Sequence, residues 1–558
     1  MKGEYSLMVS KSKPTLKDMS EFRDTTCDQY RESGFKFFNQ NILQFAYDTS
    51  LPLLERINYV NIVLSNYMEH YGRLVNTLLP SGHYEMISQF NRISGLINRA
   101  FNSIDISSLT HFHIDLPELY NEPESDKDQA VLIINQNPEI KYIRKSDKKN
   151  LVFDGINYVP LTFIRDFTID YEIPEVGMWS EDYIDDKIYE METTKIPEVV
   201  VWINNNISKK RKRFLREYLL MNELYPIFIN VDLLNCINYE ADETESELKY
   251  KPITQRRVHK DYLSQRNFCD IYRLPEDSFD NIIDLYDQAI HSDQVKAIYI
   301  TIYRTKINMR LINTLIEGTH LGKKLNIYVE LMARGDERNN FNLVKKLQEE
   351  CDPNYLTIYT SFKGLKVHAK LGLIEMNNGR FICHCGTGNF NEVTAKLYKD
   401  THIITDDFDI VRNAIKSFTC IATKNPKGRV KLKKILRKEI RKEIEKGVNG
   451  RIILKCNHIA DSEINDMLEL AKRRGCEVKV MPRSTFGYSE KMFGKKKFRG
   501  GRFLEHERVY IFGRDIDTRI YLSSSDILFR NLYKRMEFTF KLPYYVDISQ
   551  FVKECEES

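Results

Sequence analysis

The chain has 558 residues, 42% of them apolar, enough to core several domains. Its 83 basic and 79 acidic residues leave a net charge of only +4, which excludes a globally cationic polyanion binder, so any phosphate binding must come from local clusters. The ten cysteines show no disulfide spacing and no paired C-x-x-C motifs, and no apolar run approaches the ~20 residues of a bilayer span. The amino terminus lacks a hydrophobic signal core, so the expectation is a cytoplasmic protein with no membrane span.

Residues 1–105 read as a helical domain. Apolar residues recur at helical spacing from Leu51 to Leu64, preceded by the phenylalanine-rich stretch Phe35 to Ala46, which carries Asn39. Residues 106–275 read as a mixed α+β domain, with strand-like segments at Tyr158–Ile164 and Val199–Asn204. Lys209 to Arg213 is a run of five cations, read as a solvated face or a contact for a polyanion or partner subunit. From 276 the pattern is α/β. Val295 to Tyr303 is nearly continuously apolar, the mark of a strand buried on both faces, and Arg304 falls at its carboxyl end, where open α/β sheets place ligands. The basic segment 427–447 reads as a helix joining residues 276–440 to residues 441–558. The lysine-rich loop 491–502, just before His506, reads as either a flexible loop or a guide for a polyanion.

Lys366, His368 and Lys370 stand at i, i+2 and i+4 of an alternating strand and share a face. An imidazole between two ammonium groups suits an anion, since the cations favour its unprotonated, nucleophilic form. His506 and Arg508 repeat the i, i+2 relation. After each histidine the chain passes through another apolar strand to a small polar cluster, Gly386-Thr-Gly-Asn389 in one case and Ser523-Ser-Ser-Asp526 in the other. Thr387 and Ser525 hold the same place by residue count, and Arg334 and Arg483 end the strands that precede the two histidines. The pattern is a duplicated βαβ-type unit, with two histidines meeting at one seam. Gly386 and Gly388 would let backbone amides approach an anion, and Asn389 would add a polar contact. Cys383-His384-Cys385 reads as a buried strand with thiols on one face and the histidine on the other rather than as a zinc site.

A duplicated histidine unit of this form resembles the phospholipase D superfamily. The stretches Asp277–Asp280, Tyr303-Arg304-Thr305, Val329–Arg334, Val367-His-Ala-Lys370, Gly386–Asn391, Ala395–Tyr398 and Phe503–His506 resemble more closely the bacterial polyphosphate kinases that extend polyphosphate from ATP. The resemblance implies a multi-domain α/β protein. It would have a helical N-terminal domain, a head domain used in dimer contacts, and two duplicated phospholipase-D-like domains, 276–440 and 441–558, forming one active site.

It implies a phosphohistidine at His368 and a second active-site histidine at His506, with Lys370 and Asn389 assisting. Asn39, Tyr398, Arg483 and His506 match nucleotide-contacting positions. Arg304 and Arg334 match magnesium-associated positions. Because an arginine cannot ligate a cation, both read as phosphate clamps beside Mg2+. ATP and ADP are the implied nucleotides, polyphosphate the implied partner, and a homo-oligomer, dimer or tetramer, the implied assembly, with no specific nucleic acid. The chain departs from the family at Gly34–Asn39, at Ala333–Glu337 and in the 491–502 loop. A phospholipase-D-like phosphodiesterase using the same histidine pair is the alternative, and a scaffold that has lost turnover the third reading.

Overall fold

The computed structural model describes residues 25–75, 93–106, 247–331, 336–360, 366–425, 431–487 and 500–557. It also describes short strands between 129 and 229 and the isolated residues 209, 213, 333 and 493. Arg334 and most of the Lys209–Arg213 and 491–502 stretches lie outside the described residues. Helices Thr25–Gln44 and Leu53–Val75, with residues 93–102, bury Ile42, Ile57, Val60, Val63, Ile97 and Phe101 against one another, as their helical spacing predicts. The strand segments expected in the 106–275 region appear as Tyr158–Pro160, Thr162–Phe163 and Val200–Asn204, in two three-stranded sheets. Among the described residues no helix is long and apolar enough to cross a membrane.

The duplication is visible as topology. In the first half Val295–Ile302 passes through helix Arg310–His320 to the parallel strand Lys324–Val329, and on its other side pairs antiparallel with Leu371–Met376. Phe381–Gly386 and Tyr398–Thr405 complete the antiparallel run. In the second half Arg451–Ile459, helix Ser462–Arg473 and Glu477–Phe486 repeat the parallel unit. Val509–Phe512, Arg519–Ser523 and Thr539–Lys541 repeat the antiparallel run. The first half adds one further strand–helix unit, ending in Leu356–Thr360. It also adds an edge strand, Cys269–Leu274, that carries its sheet back beyond residue 276.

The two sheets share a core. Val367, Ala369, Leu371, Cys383 and Ile403 of the first half lie in one buried cluster with Val509, Ile511, Leu522, Met536 and Phe538 of the second. At the seam the halves exchange short strands. Lys366–Val367 pairs with Arg535–Met536, and Tyr398–Lys399 pairs with Leu504–Glu505, both parallel. Each histidine follows its exchanged strand directly: His368 N–H donates to Met536 O (2.8 Å) and His506 N–H to Lys399 O (3.2 Å).

The basic helix Leu432–Lys446 is part of the second half rather than a free connector. Leu432, Leu436 and Ile440 sit in that half's core, so a boundary at 440 would cut through an element. Its buried Glu439 and Glu443 grip Arg519 at 2.7 and 2.5 Å. Lys442 and Lys446 also reach these carboxylates, at 3.2 and 2.9 Å, so removing Arg519 leaves them only partly compensated. Arg519→Met is therefore expected to cost about 1–3 kcal/mol in urea unfolding, and replacing Glu439 and Glu443 by Gln in the same chain should recover part of it. A loss below about 1 kcal/mol would mean that the triad does not anchor the helix.

Candidate active site

His368 and His506 are held in the same way, each by a carboxylate from the opposite half. His368 Nδ1 lies 2.8 Å from Glu537 Oε2. Glu537 also accepts from Ser524 Oγ (2.5 Å) and Asn531 Nδ2 (2.8 Å). Asn531 lies in a short π-helical turn, Arg530–Lys534, a local distortion often found at functional sites. His506 Nδ1 lies 2.8 and 3.0 Å from the two oxygens of Asp400, which also accepts from Thr387 Oγ1 (2.6 Å). A carboxylate at Nδ1 fixes the proton there and leaves Nε2 with the lone pair.

The cations differ between halves. Lys370 Nζ donates to His368 O at 2.6 Å. Arg508 bridges the halves, donating to Thr387 O (3.3 Å) while pairing with Asp526 at 3.2 Å. Its Nη1 is 3.1 and 3.0 Å from the two ring nitrogens of His506. A nitrogen nearly equidistant from both cannot lie along either in-plane direction, so the guanidinium rests on the imidazole face.

Burial, with the charges of Lys370, Arg535 and Arg508, pushes His368 well below its ordinary pKa. Burial and Arg508 bring His506 down to about 4 against the pull of Asp400. Both imidazoles are therefore neutral at pH 7 in the free protein. Burial drives Glu537 up to about 7 although Lys370 and Arg535 oppose it. Burial would also raise Asp400, but His506 and Arg508 hold it below its ordinary value.

Tyr398 is at the seam, its ring centroid 5.3 Å from that of His506. Arg483 donates to Glu505 O (2.9 Å), and its guanidinium stands 5.5 Å from the centre of the Phe38 ring, which brings the first helix to the site. Arg304 pairs with Asp336 at 2.9 Å. Asn389 Oδ1 is buried with no partner in the protein.

Gly386 and Asn39 make contacts within the protein. The Gly386 N–H donates to Lys370 O at 3.2 Å and is not available to a ligand. Its lack of a side chain makes room for the His402 ring, whose Nδ1 would be 2.6 Å from a Cβ, and a Cβ at Gly388 would collide with the Asp400 carboxylate. These glycines admit buried neighbours. Asn39 is buried with its side chain engaged within the helical region: Nδ2 donates to Phe35 O (2.9 Å) and Oδ1 accepts from Asn66 (2.8 Å). The Cys383-His384-Cys385 strand alternates as expected. Both thiols enter the shared core, and His384 faces Tyr286 and His402 at 3.0 Å each.

Asp400 and Glu537 were not singled out by sequence reasoning, yet a signal existed. Each lies 13 residues after the hydroxyl that donates to it, Thr387 in one half and Ser524 in the other. By that measure Ser524, not Ser525, is the counterpart of Thr387, and Asp526 the counterpart of Asn389.

Three family models match the chain: Polyphosphate kinase N-terminal domain at residues 30–89, C-terminal domain 1 at 263–427 and C-terminal domain 2 at 425–554. The chain belongs to the polyphosphate kinase family. Similar relatives include the polyphosphate kinase of Salmonella typhimurium, 26% identical over 91% of this chain and 89% of that protein. The polyphosphate kinase of Staphylococcus epidermidis is 27% identical over 93% and 85%. Among solved structures, the polyphosphate kinase of Porphyromonas gingivalis shares the fold, with a TM-score of 0.68 and 20% identity over 94% of this chain and 91% of that one.

The resemblance also implied Mg2+. Among the described residues no group of three or more His, Cys, Asp or Glu side chains could hold a metal ion, and Arg304 is a cation. Mg2+ is usually held by one or two carboxylates together with substrate phosphates, and no chemical step is assigned to it.

The raised Glu537 pKa has a stability consequence. The group ionises near pH 4.5 in the unfolded chain and near 7 in the fold. Below 4.5 it is protonated in both states and costs nothing; the destabilisation grows as pH rises and is complete above 7. Glu537→Gln should therefore gain stability relative to the parent protein between pH 5 and 7.5, by roughly 1–3 kcal/mol in denaturant titrations. A difference independent of pH would show that Glu537 titrates normally.

Proposed function

We propose that this member of the polyphosphate kinase family transfers the terminal phosphate of ATP to inorganic polyphosphate, reversibly, through a phosphohistidine on His368. The observation that carries the reading is the reciprocal seam, where each imidazole is oriented at Nδ1 by a carboxylate of the other half. His368 Nε2 attacks the γ-phosphorus and the bond to the bridging oxygen breaks, releasing ADP. A terminal oxygen of polyphosphate then attacks the same phosphorus and the P–N bond breaks. The Nδ1 proton stays on the Glu537 hydrogen bond throughout.

His506 starts neutral, so it cannot begin as an acid. It takes up a proton as the polyanion binds and then hydrogen-bonds the leaving oxygen. Lys370, whose ammonium burial disfavours, regains its charge against the phosphoryl oxygens. Arg304, Arg334 and Arg483 neutralise the remaining charge. Asn389 Oδ1 has no partner within the protein; the Nδ2–H of the same amide is the group that can donate to a phosphoryl oxygen.

His368 takes the phosphoryl group because its half keeps its cation open. Arg508 is paired with Asp526, whereas the position that corresponds to Asp526 in the first half is the neutral Asn389. The nucleotide would bind near Tyr398, Arg483 and the aromatic face of the first helix, which Asn39 braces. The region 106–275 would supply subunit contacts in a cytoplasmic homo-oligomer.

Incubation with γ-labelled ATP should leave acid-labile, base-stable label on the protein and yield an acid-insoluble polymer, and His368→Ala should abolish both. The rate of labelling should fall as pH drops through about 7, because protonated Glu537 donates to Nδ1 and moves the imidazole proton onto Nε2. Glu537→Gln should lose that limb. Label retained in His368→Ala, or diester cleavage without use of ATP, would overturn the reading.

A further inference from the structure

Tyr303 ends the buried Val295–Ile302 strand and is used by none of the chemistry above. Its backbone is unusually constrained. The carbonyls of Tyr303, Arg304 and Thr305 each accept from an asparagine amide: Asn340 at 2.8 Å, Asn391 at 3.1 Å and Asn339 at 2.7 Å. The ring so fixed meets the edge of the His368 imidazole, centroids 4.6 Å apart and planes at 82°. Three cations gather on it: Lys370 Nζ at 4.9 Å from the ring centre, Lys366 Nζ at 5.5 Å and Arg304 Cζ at 5.8 Å. All lie within the reach of the ring quadrupole.

We propose that Tyr303 is a positioning residue for phosphoryl transfer. Its aromatic ring, packed against the imidazole, restricts rotation of His368. It also gathers Lys366, Lys370 and Arg304 beside the imidazole, Arg304 keeping its ion pair with Asp336. Like charges brought this close repel, and a π-face offsets that repulsion while carrying no net charge. The role belongs to the ring and not to the phenolic oxygen.

The proposal rests on the phosphohistidine reading and is tested apart from it. Tyr303→Phe should keep kcat within about twofold, and Tyr303→Leu should lower it about 10- to 100-fold. Phenylalanines carrying one, two and three ring fluorines, introduced at position 303, keep the shape and weaken the quadrupole stepwise. The kcat for polymer synthesis should fall with each fluorine, to about a tenth at three, while KM for ATP stays within about threefold. A flat fluorine series, a loss in Tyr303→Phe equal to that in Tyr303→Leu, or a change confined to KM would overturn it. Failure of the unsubstituted protein to take label from ATP defeats the phosphohistidine reading itself; normal labelling with a flat series defeats this proposal alone.

Discussion

The exchange of strands across the seam is the constraint on which the site depends. Lys366–Val367 completes its pairing on Arg535–Met536, and Leu504–Glu505 on Tyr398–Lys399. Because each histidine and the carboxylate serving it come from different halves, neither half holds a finished catalytic group. Register does the rest. Alternation places Val367 and Ala369 in the shared core and turns His368 the other way, so a slip of one residue would put the imidazole into hydrocarbon. The apolar packing between the sheets therefore sets the catalytic geometry.

That geometry is held against an electrostatic cost. Burial drives His368, His506 and Lys370 toward their neutral forms and Glu537 toward its acid form. The second half relieves part of the cost by pairing its charges. Glu505 and Glu507 alternate with His506 along the strand and both reach Lys455 at 3.0 Å, while Arg508 reaches Asp526. Two charged layers thus lie back to back on one strand, where the first half has Val367 and Ala369. On the His368 side Lys366, Lys370 and Arg304 gather around the neutral Tyr303 ring, an arrangement that favours an incoming polyanion more than it favours the empty fold.

Much of this was legible from spacing. The i, i+2 placement of histidine and cation, its recurrence, the strand buried on both faces before Arg304 and the alternation of Cys383-His384-Cys385 all follow from a period of two. What escaped depends on partners distant in the chain. Asp400 and Glu537 look like ordinary polar positions until the halves are brought together, and the 13-residue spacing from Thr387 and Ser524 gains meaning only with those hydrogen bonds. Gly386 and Gly388 read as a phosphate cradle because a glycine reports that space is needed without saying who occupies it; here the occupants are His402 and Asp400. That Asn66 on the next helix donates to the Asn39 oxygen is likewise invisible in the sequence.

The duplication also explains how one fold yields two unlike histidines. Topology, strand exchange and the hydroxyl–carboxylate relay are common to both halves, so orientation at Nδ1 is common as well. Two pairs of corresponding positions set the difference next to the rings, Lys370 with Arg508 and Asn389 with Asp526. A guanidinium fixed by a carboxylate and stacked on His506 cannot follow a moving phosphoryl group without breaking a buried ion pair. The buried Lys370 ammonium, which donates to the His368 carbonyl and lies 4.9 Å from the Tyr303 ring centre, has no such ion pair to break among the described residues. Division of labour between the two imidazoles therefore requires no difference in how they are held, only in what each cation is free to do.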